Sequence, residues 1–169
     1  MMPMATFKQL IDIVLSRVGD DPTDPDIEAL PVIKNAINQA YLILRTTVAP
    51  KTDTMETEYA REIPLSTKIG EIIDITHSSD GKLGLAEYRR LADILYIYSP
   101  LNNGTLTIRY IVLPSKLEND DDEVDLNPLY IPALIAYGAY AYQLYRRKYA
   151  AAQALLAEFQ SYLPQPDMK

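Results

Sequence analysis

Apolar residues recur at helical spacing in two stretches near the start of the chain. Phe7, Leu10, Ile11, Val14, Leu15 and Val18 form one stripe, which predicts a helix capped by Thr6, running to about Arg17 and ended by Gly19. A turn-rich DDPTDPD follows, and Asp24-Pro25 makes an N-cap and N1 pair for a second helix. Pro31 interrupts that reading, because an interior proline removes a hydrogen bond. Either a short turn spans 25–30 before the main helix, or the helix kinks there. The firm part runs from Val32 to about Thr47 and turns Ile33, Ala36, Ile37, Ala40, Tyr41 and Leu44 inward. Lys34, Asn35 and Gln39 lie off that stripe, with Asn38 near its edge.

From Thr54 the period changes to that of a strand. Tyr59, Arg61, Ile63 and Leu65 alternate with Ala60, Glu62 and Pro64, and the proline marks an edge position or a strand end. Glu71 to Thr76 is a candidate buried strand, SSDGKLG a turn, and Ala86 to Ala92 a helical turn. Ile94 to Tyr98, the turn Pro100 to Gly104 and Thr105 to Val112 read together as a hairpin. In its second strand Leu106, Ile108, Tyr110 and Val112 share one face, and Thr105, Thr107 and Arg109 the other.

The third pattern is a helix with almost no polar face. After the acidic run Glu118 to Asp125, Asn127-Pro128 opens a helical segment that continues to Leu163. Leu134, Ile135, Tyr137, Tyr140, Leu144 and Tyr145 supply a stripe, while Ala133, Ala136, Gly138, Ala139 and Ala141 fill most other positions. Such a helix needs cover on several sides: it is a central core helix, or it also packs against a neighbouring subunit. Gly138 in a helix costs about 1 kcal/mol relative to alanine, which close approach of another backbone, within or between subunits, would justify. The segment reads as one long helix with a bend or turn near Lys148, since Arg146-Arg147-Lys148 would suit a helix C-terminus. Pro164 stops it, leaving 164–169 as a flexible tail.

These elements make an α+β fold, mainly α. A helix pair at 6–48, a small central antiparallel β region with a hairpin at 54–113, and a long C-terminal helical segment at 126–163 form a single domain over 1–163. Composition then narrows the function. At 169 residues and 48% hydrophobic, the chain can bury a real core and is not disordered. No run approaches a membrane span, and the opening MMPMATFKQLIDIVL lacks the basic flank and cleavage site of a secretory signal, so no export is expected. The absence of cysteine fits assembly in a reducing cytoplasm. A net charge of −7 disfavours wrapping of nucleic acid, though not passage of DNA through a lumen. Thirteen tyrosines against two phenylalanines and no tryptophan suit half-buried places where subunits meet, or a tyrosine-rich core.

No constellation supports catalysis, a cofactor or a metal. His77 is the sole histidine, and its neighbours Ser78, Ser79 and Asp80 do not make a triad, which needs partners converging from separate elements. An exposed histidine in a polar turn is expected. Without cysteine, a zinc site would need carboxylates almost alone. The acidic run lacks the glycine and bidentate glutamate of an EF-hand and reads as a solvated loop. Gly81-Lys82-Leu83-Gly84 is no phosphate loop, and Arg89-Arg90 and Arg146-Arg147-Lys148 are too few for a nucleic-acid track.

The order of elements resembles the head-to-tail adaptor (connector) proteins of tailed bacteriophages. TFKQLIDIVLSRVGD and VIKNAINQAYLILRTT look like their opening helix pair, and REIPLSTKIGEIIDI like their extended strand, Leu-Pro and Ile-rich strand. ILYIYSPLNNGTLTIRYIVLPSKL is similar to their hairpin with its proline exit, and DLNPLYIPALIAYGAYAYQLYRRKYAAAQALLAEFQSYL to their last helical segment. The likeness covers about residues 6–163 and departs from the pattern at Pro31 and in lacking an acidic residue between Arg146 and Ala150.

The resemblance implies a structural virion protein at the neck, assembled in the host cytoplasm. Its copies would form a ring of twelve subunits between the portal protein and a tail or nozzle protein, through which DNA passes without specific binding. Ala136, Gly138, Tyr140 and Tyr145 are the candidate subunit interface. Gln165, Pro166, Asp167, Met168 and Lys169, or a 50–58 loop, are the candidate portal contact. Another neck or tail-completion (stopper) protein is the structural alternative. A small helical DNA-binding regulator is the other, disfavoured because GDDPTDPD is acidic where a helix-turn-helix needs positive charge.

Overall fold

A computed structural model describes residues 3–100 and 103–165. The stretches read from the sequence gather into two compact units, one of Met1–Ala49 with Pro114–Lys169 and one of Pro50–Leu113. The α+β class is as expected.

The first unit is helical. Its first helix, α1 (Phe7–Arg17), begins with a capping box in which Thr6 Oγ1 accepts from Gln9 N–H and Gln9 Oε1 accepts from Thr6 N–H. It ends as predicted: Gly19 takes φ +80°, and the Asp20 N–H closes back on the Leu15 carbonyl at 2.9 Å. The second helix, α2 (Leu30–Thr47), starts after a short turn, so Pro31 falls in its first turn where no N–H is needed and causes no kink. Asp24 is therefore not its cap. All six inward positions predicted for α2 are buried.

The long C-terminal segment is two helices. A single 3₁₀ turn at Pro128–Tyr130, capped by Asn127, leads into α3 (Ile131–Tyr145), and α4 is Tyr149–Gln160. Between them Arg147 adopts φ +60°, a left-handed conformation costing about 1–2 kcal/mol for a residue with a side chain. The return offsets that cost by burying Ala152 and Phe159, with the Phe159 ring 4.7 Å from that of Tyr137. Arg17 of α1 pairs with Glu158 of α4. Thus α3 is covered on three sides by its own chain, which is why it needs no broad polar face.

The acidic run is less free than its charge suggests. Its carboxylates are mostly exposed, but its backbone is tied to the start of α1, with Phe7 N–H donating to the Asp122 carbonyl at 2.8 Å and Val124 N–H to the Ala5 carbonyl at 2.9 Å. Leu117, Val124 and Leu126 bury into the helical core. Hydrogen bonds from Asn119 N–H and Glu118 N–H hold the Asp122 carboxyl below its ordinary value. Asn38 pins the run from α2: its amide accepts from Leu117 N–H at 2.8 Å and donates to the Leu117 carbonyl at 3.0 Å. Asn38→Ala is expected to lose about 1–2 kcal/mol of stability, read from the urea midpoint at constant m.

The second unit holds two antiparallel sheets. One has strand order β1-β7-β3-β4, with β1 Thr52–Glu58, β3 Ile69–His77, β4 Gly81–Lys82 and β7 Thr105–Val112. The other is β2-β6-β5, with β2 Glu62–Pro64, β5 Tyr88–Leu91 and β6 Ile94–Ile97. Pro64 ends an edge strand, as its missing N–H requires. The core joins Ile63, Leu95 and Ile97 of one sheet to Ile75, Leu106 and Ile108 of the other.

Four expectations are corrected here. Residues 52–58 form β1, not a loop, because they pair with β7 from Thr52↔Ile111 to Glu58↔Thr105. The strand expected at 71–76 spans Ile69–His77 and is buried on one face only, with Ile73 exposed on the other. Ala86 to Ala92 is not a helical turn: after a 3₁₀ turn at Leu85–Glu87 the chain becomes β5, held by Arg90 donating to the carbonyls of Ile69 and Gly70. The hairpin is β5–β6, closed at Leu91↔Ile94, and not β6–β7. Each of the latter two strands already has partners on both sides, leaving no edge for the other. Part of the predicted turn, residues 101–102, lies outside the described residues.

Candidate interaction surface

The four residues picked as a subunit interface divide into two pairs. Ala136 and Gly138 are buried in the chain's own helical core. A Cβ on Gly138 would sit 2.9 Å from Val14 Cγ2 of α1 and 3.3 Å from Ile37 Cγ1 of α2. The close approach that this glycine permits is thus within the chain, and neither residue offers side-chain surface to another copy.

Tyr140 and Tyr145 instead line an open groove of about 520 Å³ between α2 and α3, together with Val32, Gln39, Tyr137 and Leu144. Helical spacing puts Tyr137, Tyr140, Leu144 and Tyr145 on neighbouring turns, and the α2 residues meeting them sit beside its buried stripe. The Tyr137 and Tyr140 rings stand 5.4 Å apart at a tilt. Burial, with Tyr140 beside it, raises the pKa of the Tyr137 hydroxyl above the ordinary phenol value. Leu144 is 43% and Tyr145 40% exposed, and Tyr149 stands out at the elbow beyond them.

The elbow end of the groove is fixed by charge. Tyr145 donates to Glu28 Oε2 at 3.4 Å, and Arg146 pairs with Asp26 while lying over the rings of Tyr142 and Tyr145 at 5.4 and 5.7 Å. Burial, then the Asp26 and Glu28 carboxylates, raise the Tyr145 pKa. The acidic turn after α1, read as a liability for DNA binding, thus orients the rim of an apolar groove. The groove can take apolar or aromatic side chains from a protein partner, with tyrosine hydroxyls, Asn35 and Gln39 available for hydrogen bonds.

Of the candidate portal contact, Gln165 is exposed, and Pro166, Asp167, Met168 and Lys169 lie outside the described residues. Among the described residues no group of His, Cys, Asp and Glu could hold a metal ion, and no helix is long and apolar enough to cross a membrane.

Two buried polar groups escaped the sequence reading. Arg45 is 3% exposed and donates from Nη1 to the Asp125 carbonyl at 3.0 Å and to Asp125 Oδ2 at 3.3 Å. Its position gave a signal, for it continues the row Ile33, Ile37, Tyr41 at steps of four. His77, expected on the surface, is 1% exposed. It closes β3 on the same face as Ile75, and the turn that follows folds back over it. Strand alternation from Ile75 to His77 was the available sign.

The family model described as SU10 adaptor protein matches residues 5–168. No curated protein matches the sequence.

Proposed function

Because the chain belongs to the SU10 adaptor protein family, a family of phage head-tail adaptors, we propose that copies of it close into a ring between the capsid portal and the tail. In this reading the ring joins head to tail, the genome passes through it, and no catalytic step is involved. The observation that carries the ring is the groove between α2 and α3. A subunit with its own core complete still leaves Tyr140, Leu144 and Tyr145 open together, as a repeated contact between copies would use them. The formal charge of −7 and the absence of a basic track support a channel along which DNA slides without sticking.

Native mass spectrometry of the purified chain, alone and with portal-bearing particles, tests this reading. A closed oligomer that binds portal-bearing particles is expected. A chain that stays monomeric with portal present overturns the ring, and binding to tails alone would make it a tail-completion protein. Leu144→Glu, which places a charge in the groove, is expected to remove the oligomer while shifting monomer stability by no more than about 0.5 kcal/mol.

A further inference from the structure

At the end of β3 three groups converge on a single nitrogen. His77 Nδ1 lies 3.2 Å from Ser79 N and 3.1 Å from Asp80 N, placed to accept from both backbone N–H groups, and it lies 3.1 Å from Asp80 Oδ2. A ring nitrogen carries either a lone pair or a proton. With the lone pair it caps the two amides and faces the carboxylate without a bond. With the proton it can bond the carboxylate, and it can no longer accept from either amide.

We propose that His77 is a proton-operated latch on the tip of the β unit. In the neutral state Nδ1 holds the 78–80 turn closed. In the protonated state Nδ1–H bonds Asp80 and the Ser79 and Asp80 amides are released. The exchange is between hydrogen bonds at Nδ1, with no covalent change, and the proton comes from solvent.

The surroundings make the exchange matter. The imidazole is buried, so neither state can borrow water freely. Gly104 presses on its other side: a Cβ there would lie 2.7 Å from His77 Nε2 and 2.7 Å from Ser78 Oγ. The turn is also stitched to the start of β7, with Ser78 N–H donating to the Thr105 carbonyl at 2.9 Å and Thr105 N–H to Ser78 Oγ at 3.1 Å. The Gly104 carbonyl in turn accepts from Tyr59 N–H at 2.8 Å. Release of two amides at 79–80 therefore loosens a tip made from 58–59, 78–81 and 103–105.

Among the described residues, charged and titratable groups reach the ring from the turn and from the segment after β1. The turn supplies Asp80, and the segment after β1 supplies Tyr59, whose ring meets the imidazole edge-on at 6.3 Å, with Glu58 next to it in sequence. The facing strand β7 offers Leu106 and Thr105, and β4 offers Gly81 opposite His77 with Lys82 beyond it. Histidine is the side chain whose charge changes between pH 5 and 8, and this chain has one.

The test uses the full chain labelled with ¹⁵N, followed from pH 8 to pH 5. Ring nitrogen shifts report whether Nδ1 gains a proton, and amide hydrogen exchange, corrected for intrinsic rate, reports the Ser79 and Asp80 amides. Protection of those two amides is expected to fall at least tenfold as Nδ1 protonates. His77→Asn, whose Oδ1 can take the place of Nδ1 as acceptor without titrating, should keep them protected at both pH values. Asp80→Asn removes the receiving carboxylate and should move the release to lower pH. The latch is overturned if Nδ1 stays unprotonated down to pH 5, if it protonates while both amides stay protected, or if His77→Asn loses protection as the native chain does.

Discussion

Gly138→Leu is expected to unfold the helical unit, leaving no folded subunit that merely fails to assemble. An added Cβ already meets Val14 at 2.9 Å and Ile37 at 3.3 Å, closer than carbon atoms pack, and leucine adds three more carbons beyond it. Overpacking by a few atoms costs about 1–3 kcal/mol, and a whole side chain wedged between α1, α2 and α3 exceeds that range. Since a domain holds only about 5–15 kcal/mol in all, the loss takes most of it. The milder Gly138→Ala should lower stability by about 1–3 kcal/mol, and adding Val14→Ala should bring the pair below the sum of the two single losses. Circular dichroism and urea titration of the isolated chain read both results. A well-folded, monomeric Gly138→Leu protein would contradict the placement of this residue. The expectation follows from finding Gly138, a candidate interface residue, within the core of its own chain.

The second large effect is at Arg45. Its guanidinium is buried at the end of α2, where Nη1 reaches the Asp125 carbonyl and carboxylate and lies 3.4 Å from the Tyr41 hydroxyl, while Nε has no partner. Tyr41 completes the knot by accepting from Asp125 N–H at 3.1 Å. Arg45→Ala should cost about 3 kcal/mol, because it removes these bonds and leaves a cavity among packed helices. Arg45→Met should cost about 1 kcal/mol or less, because it refills the volume and removes a buried charge whose desolvation is only partly compensated. Equal losses in the two, measured by urea titration at pH 7, would show that the charge and not the volume holds this corner.

Local signals were legible where they decide structure locally. Thr6, Gln9 and Gly19 bound α1 because capping and a left-handed exit are made by adjacent residues. The alternation from Thr105 to Val112 marked β7, whose inner face fills a core. The misread elements turn on partners distant in sequence. AEYRRLA suits a helix by propensity, and only pairing with β6 and the reach of Arg90 to Ile69 and Gly70 make it β5. The break between α3 and α4 does fall at Arg146-Arg147-Lys148, where a bend or turn was expected, but its sharpness comes from an arginine with positive φ that neither glycine nor proline announces. Packing across the return supplies the reason. Of the interface candidates, Tyr140 and Tyr145 reach a groove because α2 lies beside them, while Ala136 and Gly138 are covered by α1 and α2. A one-dimensional pattern marks an apolar position without saying who covers it.

The pairing of β1 with β7 has a consequence for how the polypeptide is made. Thr52 and Ile111 face one another, so the 62 residues from Lys51 to Val112 begin and end side by side, as a cassette spliced into a host sequence would. This cassette has all its strands once Val112 clears the ribosome. The host must wait for Phe159 before its last helix can dock. Translation therefore delivers the inner module first, and the outer one holds its two opening helices in reserve until the closing pair emerges.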